Sequence, residues 1–448
     1  MDSASDGPER EFAFDYDPGE LRGGRGCVAD LDGIFEARES TDALVVTGSN
    51  VGANPDVMDP VAAGLGDYLA GVFDETTPQK YLATGLAGAR RVRQEDIDAL
   101  VAVGSGSSLD VAKVISALTS HDDVDAAADR AIETGEVPVA SDGDPTPIVA
   151  VPTTLAGADL SVIAGVSLSL DPDGTPDHEI PSGSVGDRRL MPTALCYDPA
   201  LFETTPKGVL CASAMNGFDK AVECLYSPYR TPVTDGTAMR ALSLMQSGFE
   251  TLPAESMDEE KLYDAVSGVV LAQYGISTPG TYRASIIHAF GHGFSHGYGI
   301  HQGTAHGILA PHVLEYVFDE VDGRRSLLAD VFGVGGDDVG DNGLANRVVD
   351  AVSAVSDDLG LPSRLRAVDG LSRKSLPDVA AEIRDDSLLA VAPEGVDPTT
   401  ANIEAVLDAD PSTRIHTYPN LKLKIPGIRP VFVIATQNPV QICRSRGR

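Results

Sequence analysis

The stretch DALVAVGSGSSLDVAK, residues 98–113, joins an apolar run to a helical pattern through a loop of small residues. The run Ala99–Val103 is typical of a buried strand, and the pattern from near Leu109 is typical of a helix. A loop without bulky side chains lets backbone N–H groups approach a phosphate, and the helix N-terminus adds partial positive charge. The stretch therefore predicts a pyrophosphate-binding turn made by Gly104, Ser105, Gly106 and Ser107. An ordinary tight turn is the alternative, and a Walker-type ATPase is disfavoured because no GK[ST] follows.

Outward from this stretch, the first half of the chain alternates apolar runs with helical patterns. Residues 43–48 (ALVVTG) and 146–154 (TPIVAVPTT) are rich in β-branched residues, and a helical pattern covers Asp59–Phe73. Strands that alternate with helices indicate parallel βαβ units. We therefore expect a Rossmann-like α/β dinucleotide-binding domain with a parallel sheet over residues 1–205.

Helical patterns dominate after about Lys207. They cover Pro206–Tyr226, Ala238–Phe249 and Lys261–Tyr274, and the polar stretch PVTDGT around Asp235 predicts a turn between the first two. An all-helical domain is therefore expected over residues 206–410.

The last segment differs in composition from the rest of the chain. From Pro411 onward there are seven Lys or Arg and no Asp or Glu, whereas the whole chain has 33 basic and 67 acidic residues. We interpret residues 411–448 as an atypical basic tail outside the fold, with a basic partner-binding tail as the alternative.

Charge and composition narrow the function classes. The formal net charge of −34 repels nucleic acid and anionic membranes, and an acidic excess spread along the chain favours a halophilic protein over an ordinary acidic enzyme. Five scattered cysteines without a CxxC pair argue against a disulfide framework or a thiolate zinc site. The N-terminus MDSASDGPEREF lacks the features of an export signal, and no apolar run is long enough to cross a membrane. A cytoplasmic protein without nucleic-acid or membrane partners is expected.

Four ordered motifs carry a resemblance to a known family. They are GSGSSLDVAK (104–113), PTTLAGADLS (152–161), RRLMPTALCYDP (188–199) and HAFGHGFSHGYGIHQGTAHGILAPHVLEY (288–316). Together they resemble the iron-containing alcohol dehydrogenase family over about residues 43–407. Within it, PTTLAGADLS and MNGFDKAVECLY (215–226) are most similar to the maleylacetate reductase branch. The resemblance implies a dinucleotide-binding domain, a helical domain, a cleft between them for hydride transfer, and a homodimer.

The resemblance also implies cofactor-binding residues. Gly106, Ser107 and Asp110 would line the pyrophosphate and nicotinamide-ribose site, and Thr153 and Thr154 would flank the adenosine side. A carboxylate such as Asp110 is also favoured in the first turn of a helix by the dipole alone, so capping is its alternative role.

The end of the first apolar run bears on the choice between NAD and NADP. Family members restricted to NAD tend to carry an acid where Gly48 stands, and that acid would repel a 2′-phosphate. Gly48, Ser49 and Asn50 remove the repulsion. The sequence therefore favours NADP(H), with dual use as the alternative.

Five of the nine histidines lie within Ile286–Gly307, which raises the question of a metal site. His288, His292 and His296 are spaced to share a helix face. The resemblance implies four metal ligands, and they fall on Asn216, Lys220, His288 and Gln302. Only His288 keeps the type of residue that the family uses as a metal ligand, so we expect no catalytic metal.

Lys220 is the decisive substitution, since an ammonium has no lone pair and repels a divalent cation. A fixed cation in a water-poor cleft can itself polarise a carbonyl or stabilise an alkoxide, and we expect Lys220 to replace the metal in this way. A lysine merely paired with Glu223 or Asp219 is one alternative. A shifted metal site that uses Asp219, Glu223 or His301 is another.

The remaining predicted catalytic residues are two histidines. His288 would donate to the substrate oxygen, and His292, which the resemblance places next to the nicotinamide, would relay a proton. Packing or surface roles are expected for His296, His301, His306 and His312.

The leading functional hypothesis is a metal-independent, NAD- or NADP-dependent oxidoreductase. It would interconvert an alcohol and a carbonyl of a small molecule, or reduce a maleylacetate-like substrate. The alternatives are a non-redox lyase or cyclase similar to dehydroquinate synthase, and a cofactor-binding protein without catalysis.

Overall fold

A computed structural model describes residues 12–172, 179–278, 280–336, 339–365 and 373–409, without the side chains of residues 296 and 297. These residues belong to one compact unit. The predicted basic tail, residues 411–448, lies outside the described residues, and so does Cys443.

The N-terminal half is built on a six-stranded parallel sheet with the strand order β1-β8-β5-β4-β2-β3. Two antiparallel hairpins, β6-β7 and β9-β10, lie outside it. The strands are β1 (Glu20–Gly23), β2 (Ala43–Gly48), β3 (Leu69–Thr76), β4 (Ala99–Gly104), β5 (Ile148–Pro152), β6 (Ile163–Ser167), β7 (Ser182–Gly186), β8 (Ala194–Tyr197), β9 (Ser277–Thr278) and β10 (Thr281–Tyr282).

Helices cover the sheet and form the rest of the unit. The α-helices are α1 (Leu31–Arg38), α2 (Ser49–Gly52), α3 (Pro55–Leu65), α4 (Leu82–Gln94), α5 (Gly106–Thr119), α6 (Val124–Thr134), α7 (Pro199–Glu203), α8 (Lys207–Tyr226), α9 (Pro232–Gly248), α10 (Glu259–Gln273), α11 (Ile286–Tyr298), α12 (Gln302–Glu320), α13 (Arg325–Val331), α14 (Asp341–Asp358), α15 (Leu376–Asp385) and α16 (Thr400–Leu407). This confirms the predicted class, a parallel α/β N-terminal region followed by a helical C-terminal region.

Strand β4 shows why the sheet is buried on both faces. Leu100 and Ala102 pack in the large core that continues into the helical region. Val101 and Val103 pack in a second core with helices α1 and α3. Parallel strands covered on both sides read as continuous apolar runs, which is the pattern of this segment.

Two segments were assigned to the wrong kind of secondary structure. The helix expected over Asp59–Phe73 ends at Leu65, because Gly66 adopts φ +54 and breaks it, and Leu69–Thr76 is strand β3. The turn expected at PVTDGT is instead the start of α9, where Thr231 caps the helix and Pro232 occupies its first position.

None of the helices in the described ranges combines the length and the apolar character that a membrane crossing requires.

Candidate active site

The predicted phosphate loop joins β4 to α5, and the helix begins at Gly106 rather than near Leu109. Gly104 adopts φ +124, a conformation that side chains disfavour, and turns the chain towards the helix. The hydroxyls of Ser105 and Ser107 lie 2.9 Å apart, which orders the turn. Gly104, Ser105, Gly106 and Ser107 thus lie together at the N-terminus of α5, as a phosphate-binding turn requires.

Asp110 lies one turn into α5 and is largely buried. The Nζ atom of Lys80 donates a hydrogen bond to its Oδ2 atom at 3.0 Å. The carboxylate predicted to bind the cofactor ribose is therefore oriented by an ammonium from outside its own helix.

Gly48 ends β2, and Ser49 begins α2. Strand β2 lies next to β4, so this predicted nucleotide-binding end adjoins the phosphate loop. A Cβ atom on Gly48 would lie 3.1 Å from the carbonyl oxygen of Thr76, a tight but adjustable contact. The exposed Asp74 of β3 lies beside α2, with its Oδ2 atom 3.4 Å from a Cβ placed on Gly52.

Thr153 and Thr154 follow β5 at the same edge of the sheet. The N–H of Thr153 donates to the carbonyl oxygen of Gly104 at 2.9 Å, so the two strand ends are joined directly. Both side chains are buried, 3% and 7% exposed, which leaves little of either to meet a nucleotide.

The loop of residues 155–158, which follows Thr154, connects the phosphate-binding turn to the helical region. A Cβ atom on Gly106 would lie 3.4 Å from Cβ of Ala158, so this loop packs against the start of α5. From α8, the Nζ atom of Lys220 donates to the carbonyl oxygens of Ala156 and Gly157 at 2.9 Å each, and to Oε1 of Gln273 at 3.3 Å. Lys220 is therefore directed towards the cofactor region.

Lys113 of α5 contacts the same loop from the other side. Its Nζ atom donates to the carbonyl oxygens of Ala158 at 2.7 Å and Ile163 at 3.2 Å. Burial lowers the pKa of both Lys113 and Lys220 to about 8. Neither Glu223 nor Asp219 accepts a hydrogen bond from Lys220 within the described part of the chain, so the alternative pairing is not observed.

The four family positions for a metal do not form a donor set that fits one. The Nδ2 atom of Asn216 donates to Oε1 of Gln302 at 2.9 Å, so these two amides bind each other, while Lys220 presents an ammonium. A divalent transition metal is held by imidazole, thiolate or carboxylate ligands, and of these four residues only His288 is of that kind. Among the residues described above, no group of three or more His, Cys, Asp or Glu is arranged to hold a metal ion, which also gives no support to a shifted site.

Glu223 positions His288 and the start of α11 together. Its two carboxylate oxygens accept the backbone N–H groups of Ser285 at 3.0 Å and Ile287 at 2.6 Å. The Oε2 atom also lies 2.5 Å from Nδ1 of His288. A carboxylate at a helix N-terminus is favoured by the dipole, so the interaction that starts the helix also fixes the ring.

Burial shifts both members of this pair towards their neutral forms. It raises the pKa of Glu223 to about 7, and together with the nearby Lys220 charge it lowers the pKa of His288 well below its usual range. Nε2 of His288 is buried and has no hydrogen-bond partner in the described ranges. This nitrogen therefore remains for a substrate oxygen.

His292 lies one turn further along α11 and is 30% exposed. Its Nδ1 atom lies 2.7 Å from Oδ2 of Asp386, whose side chain is 12% exposed. No sequence pattern connects these two residues, which lie 94 positions apart.

The other histidines occupy varied places. His301 caps α12 by accepting the N–H of Gly303 at 3.2 Å, and His312 lies 3.4 Å from Glu315. His306 is fully buried, with Nδ1 3.2 Å from Oδ2 of Asp219 but not aligned for a hydrogen bond. The side chain of His296 lies outside the described residues.

Close contact between α8 and α12 brings Gln302 to Asn216. A Cβ atom on Gly303 would lie 1.7 Å from the carbonyl oxygen of Ala212, so the two helices touch backbone to backbone. We expect Gly303→Ala to lower the free energy of unfolding by about 1–3 kcal/mol or more, since the helices must separate. Urea denaturation followed by circular dichroism measures this loss.

Gly208→Ala is the matched control, because a Cβ there meets nothing within 4 Å at the open start of α8. Equal stability of the two variants would contradict the close packing of α8 and α12.

Comparisons with known proteins identify the family of this chain. A family model described as iron-containing alcohol dehydrogenase matches residues 18–199, and its C-terminal counterpart matches residues 210–410. Lactaldehyde reductase of Escherichia coli (strain K12) is 25% identical over 389 residues, covering 86% of this chain and 95% of the relative. Maleylacetate reductase 2 of Cupriavidus pinatubonensis is 29% identical over 267 residues, covering 59% of this chain and 63% of the relative.

A solved structure shares the fold. Sulfoacetaldehyde reductase from Bifidobacterium kashiwanohense, in complex with NAD+, superposes with a TM-score of 0.74 at 21% identity and covers 89% of this chain and 98% of that chain. The matched family models span most of the chain and both of its regions, and they coincide with the phosphate loop and the histidine-rich helix. The chain is an enzyme of the iron-containing alcohol dehydrogenase family.

Proposed function

We propose that this enzyme is a metal-independent, nicotinamide-dependent oxidoreductase that interconverts an alcohol and a carbonyl or reduces a maleylacetate-like substrate. One observation carries the proposal. The buried Nε2 atom of His288 has no hydrogen-bond partner among the described residues, and the charge of Lys220, at a position that the resemblance assigns to a metal ligand, acts on the same ring. When Glu223 is in its neutral form, its carboxyl O–H would donate to Nδ1 of His288, which leaves the hydrogen on Nε2. This Nε2–H and the Lys220 ammonium would then be the hydrogen-bond donor and the cation that a carbonyl oxygen needs as negative charge develops on it.

The cofactor, when bound, supplies or accepts the hydride. Gly104, Ser105, Gly106 and Ser107 would hold its pyrophosphate through backbone N–H groups at the start of α5. Asp110 would meet the nicotinamide ribose, oriented by its hydrogen bond from Lys80. Thr153 and Thr154 would shape the adenosine side of the site mainly by their place at the end of β5, since both side chains are largely buried.

Lys220 has three ammonium hydrogens and three carbonyl acceptors around them. The contact with Gln273 is the longest at 3.3 Å, so it is the one that a substrate oxygen would replace. The two backbone contacts would then hold the cation in place while it stabilises the oxygen.

His292 would pass the substrate proton between His288 and solvent, because it lies one turn along the same helix and is partly exposed. Maleylacetate reductases are among the relatives, which supports the second substrate class. A cytoplasmic, halophilic homodimer acting on a small molecule completes the proposal.

Fluorescence titration with NADPH and NADH, followed by assays with small aldehydes, ketones and maleylacetate, tests the function directly. We expect binding of a reduced nucleotide and its oxidation by at least one carbonyl substrate. Failure to bind either nucleotide would overturn the proposal.

Gly48 provides a prediction about the cofactor. We expect NADP(H) to bind at least as well as NAD(H), and Gly48→Asp to weaken NADPH binding by about 1–3 kcal/mol, because its carboxylate would repel the 2′-phosphate. Gly48→Asn is the matched control, since it adds the same shape without the charge and must make the same contact with Thr76.

Equal NADPH affinity in the unchanged protein and in Gly48→Asp would contradict this assignment. Asp74 already places a carboxylate on the neighbouring strand. If Asp74 binds the ribose instead, NADH will bind better than NADPH before any change at Gly48.

A further inference from the structure

Two histidines of α11, one turn apart, each face a carboxylate from another element. In the first pair, Glu223 faces Nδ1 of His288 at 2.5 Å. In the second, Asp386 faces Nδ1 of His292 at 2.7 Å. The carboxylate of the second pair, Asp386, lies in the segment that follows α15, and no sequence pattern connected it with the histidines.

The carboxylate of Asp386 is held in place on both of its oxygens. Oδ1 accepts the backbone N–H of Leu388 at 2.8 Å, where Asp386 caps the short 3₁₀-helix Ser387–Val391. Oδ2 faces His292. Helix α11 packs against α15 and against this 3₁₀-helix, so the carboxylate reaches the ring from a fixed surface.

A carboxylate beside one ring nitrogen selects the tautomer of a neutral imidazole. It accepts the hydrogen from that nitrogen, which leaves the other nitrogen as the atom that takes up and releases a proton. The carboxylate also stabilises the imidazolium that forms when the ring is protonated.

We propose that Asp386 is a positioning residue for His292: its carboxylate accepts the Nδ1–H, orients the ring and makes Nε2 the atom that exchanges the proton. The inference rests on the proposed function, in which His292 relays the substrate proton. Asp386 itself touches neither substrate nor cofactor in this role.

The test is Asp386→Asn in the full chain. Asparagine keeps the side-chain oxygen that caps the 3₁₀-helix but removes the negative charge facing His292. We expect kcat to fall at least about tenfold, with little change in KM and in nucleotide affinity, because only the proton-transfer step is affected. Asp386→Glu should restore part of kcat.

Asp385→Asn is the matched control, since Asp385 is the exposed neighbour at the end of α15 and its loss changes the net charge equally. We expect it to keep the kcat of the unchanged protein. An equal kcat for Asp386→Asn and the unchanged protein, or an equal loss in both asparagine variants, would overturn the inference.

A second readout does not depend on activity. In protein with ¹⁵N-labelled histidine, NMR of the ring nitrogens should show Nδ1–H for His292 in the unchanged protein and an altered tautomer balance in Asp386→Asn. His292→Asn, which removes the ring, assigns the signal. Identical His292 spectra in both proteins would overturn the inference even if the enzyme reduces carbonyls, and the expected spectra without any turnover would overturn only the proposed function.

Discussion

Replacing Lys220 with methionine should lower turnover by about 10²–10³-fold while nucleotide affinity stays close to that of the unchanged protein. Methionine keeps most of the volume but removes the cation that would stabilise negative charge on the substrate oxygen. The variant also leaves the carbonyl oxygens of Ala156 and Gly157 without their ammonium, so some stability should be lost. Steady-state kinetics, nucleotide titration and urea denaturation separate these effects.

The turnover of the unchanged protein should also depend on pH through the charge of Lys220. Burial lowers the pKa of Lys220 to about 8, so the ammonium is present below that pH and is lost as the pH rises through it. The contribution of Lys220 to turnover should therefore decline above about pH 8. Lys220→Met should show a smaller decline, since of these two lysines only Lys113, whose pKa is also about 8, still loses its charge there.

Lys113→Met is the control for the loop. It removes the other ammonium that holds the same segment, through Ala158 and Ile163. An equal loss of turnover in both variants would show that Lys220 acts by holding the loop rather than by its charge at the substrate.

Rebuilding the family metal site should convert the enzyme into a metal-binding protein. The variant combines Asn216→Asp, Lys220→His and Gln302→His, which would place four ligands with lone pairs around the site of His288. Asn216 and Gln302 already lie in hydrogen-bond contact, so the new ligands would be close together. Elemental analysis should find about one Fe²⁺ or Zn²⁺ per chain after incubation with the metal.

The control adds His288→Ala to the three changes and should lose most of the bound metal. The unchanged protein should keep its activity with chelators and gain none from added Fe²⁺ or Zn²⁺. Stoichiometric metal in the unchanged protein, with activity abolished by chelation, would contradict metal independence, and an empty rebuilt site would show that the helices do not present these positions to a common point.

The sequence predicted the elements whose patterns are local. The runs that became β2, β4 and β5 are apolar throughout because parallel strands are buried on both faces, and small residues mark the turn into α5. Strand β3 was missed because it lies at the edge of the sheet, where only some of its side chains are buried.

The site was predictable in its residues but not in its contacts. Spacing along one helix placed His288 near His292, and family resemblance located Lys220. The partners of these residues come from distant segments: the carbonyl oxygens near Ala156 for Lys220, and Asp386 for His292. Backbone carbonyls carry no sequence signal, and an aspartate near the end of a helix looks the same whether it faces water or a histidine.

The two contacts of Glu223, with the start of α11 and with His288, limit how the sequence of this enzyme can change. The same carboxylate begins α11 and holds His288, so the folding of that helix and the assembly of the reactive group are a single event. A substitution there would remove stability and chemistry at once, whereas Asn216 and Gln302 bind only each other within the described chain and contribute nothing to the start of the helix. Selection for a new substrate or a new metal therefore has freedom at positions 216 and 302, and almost none at position 223.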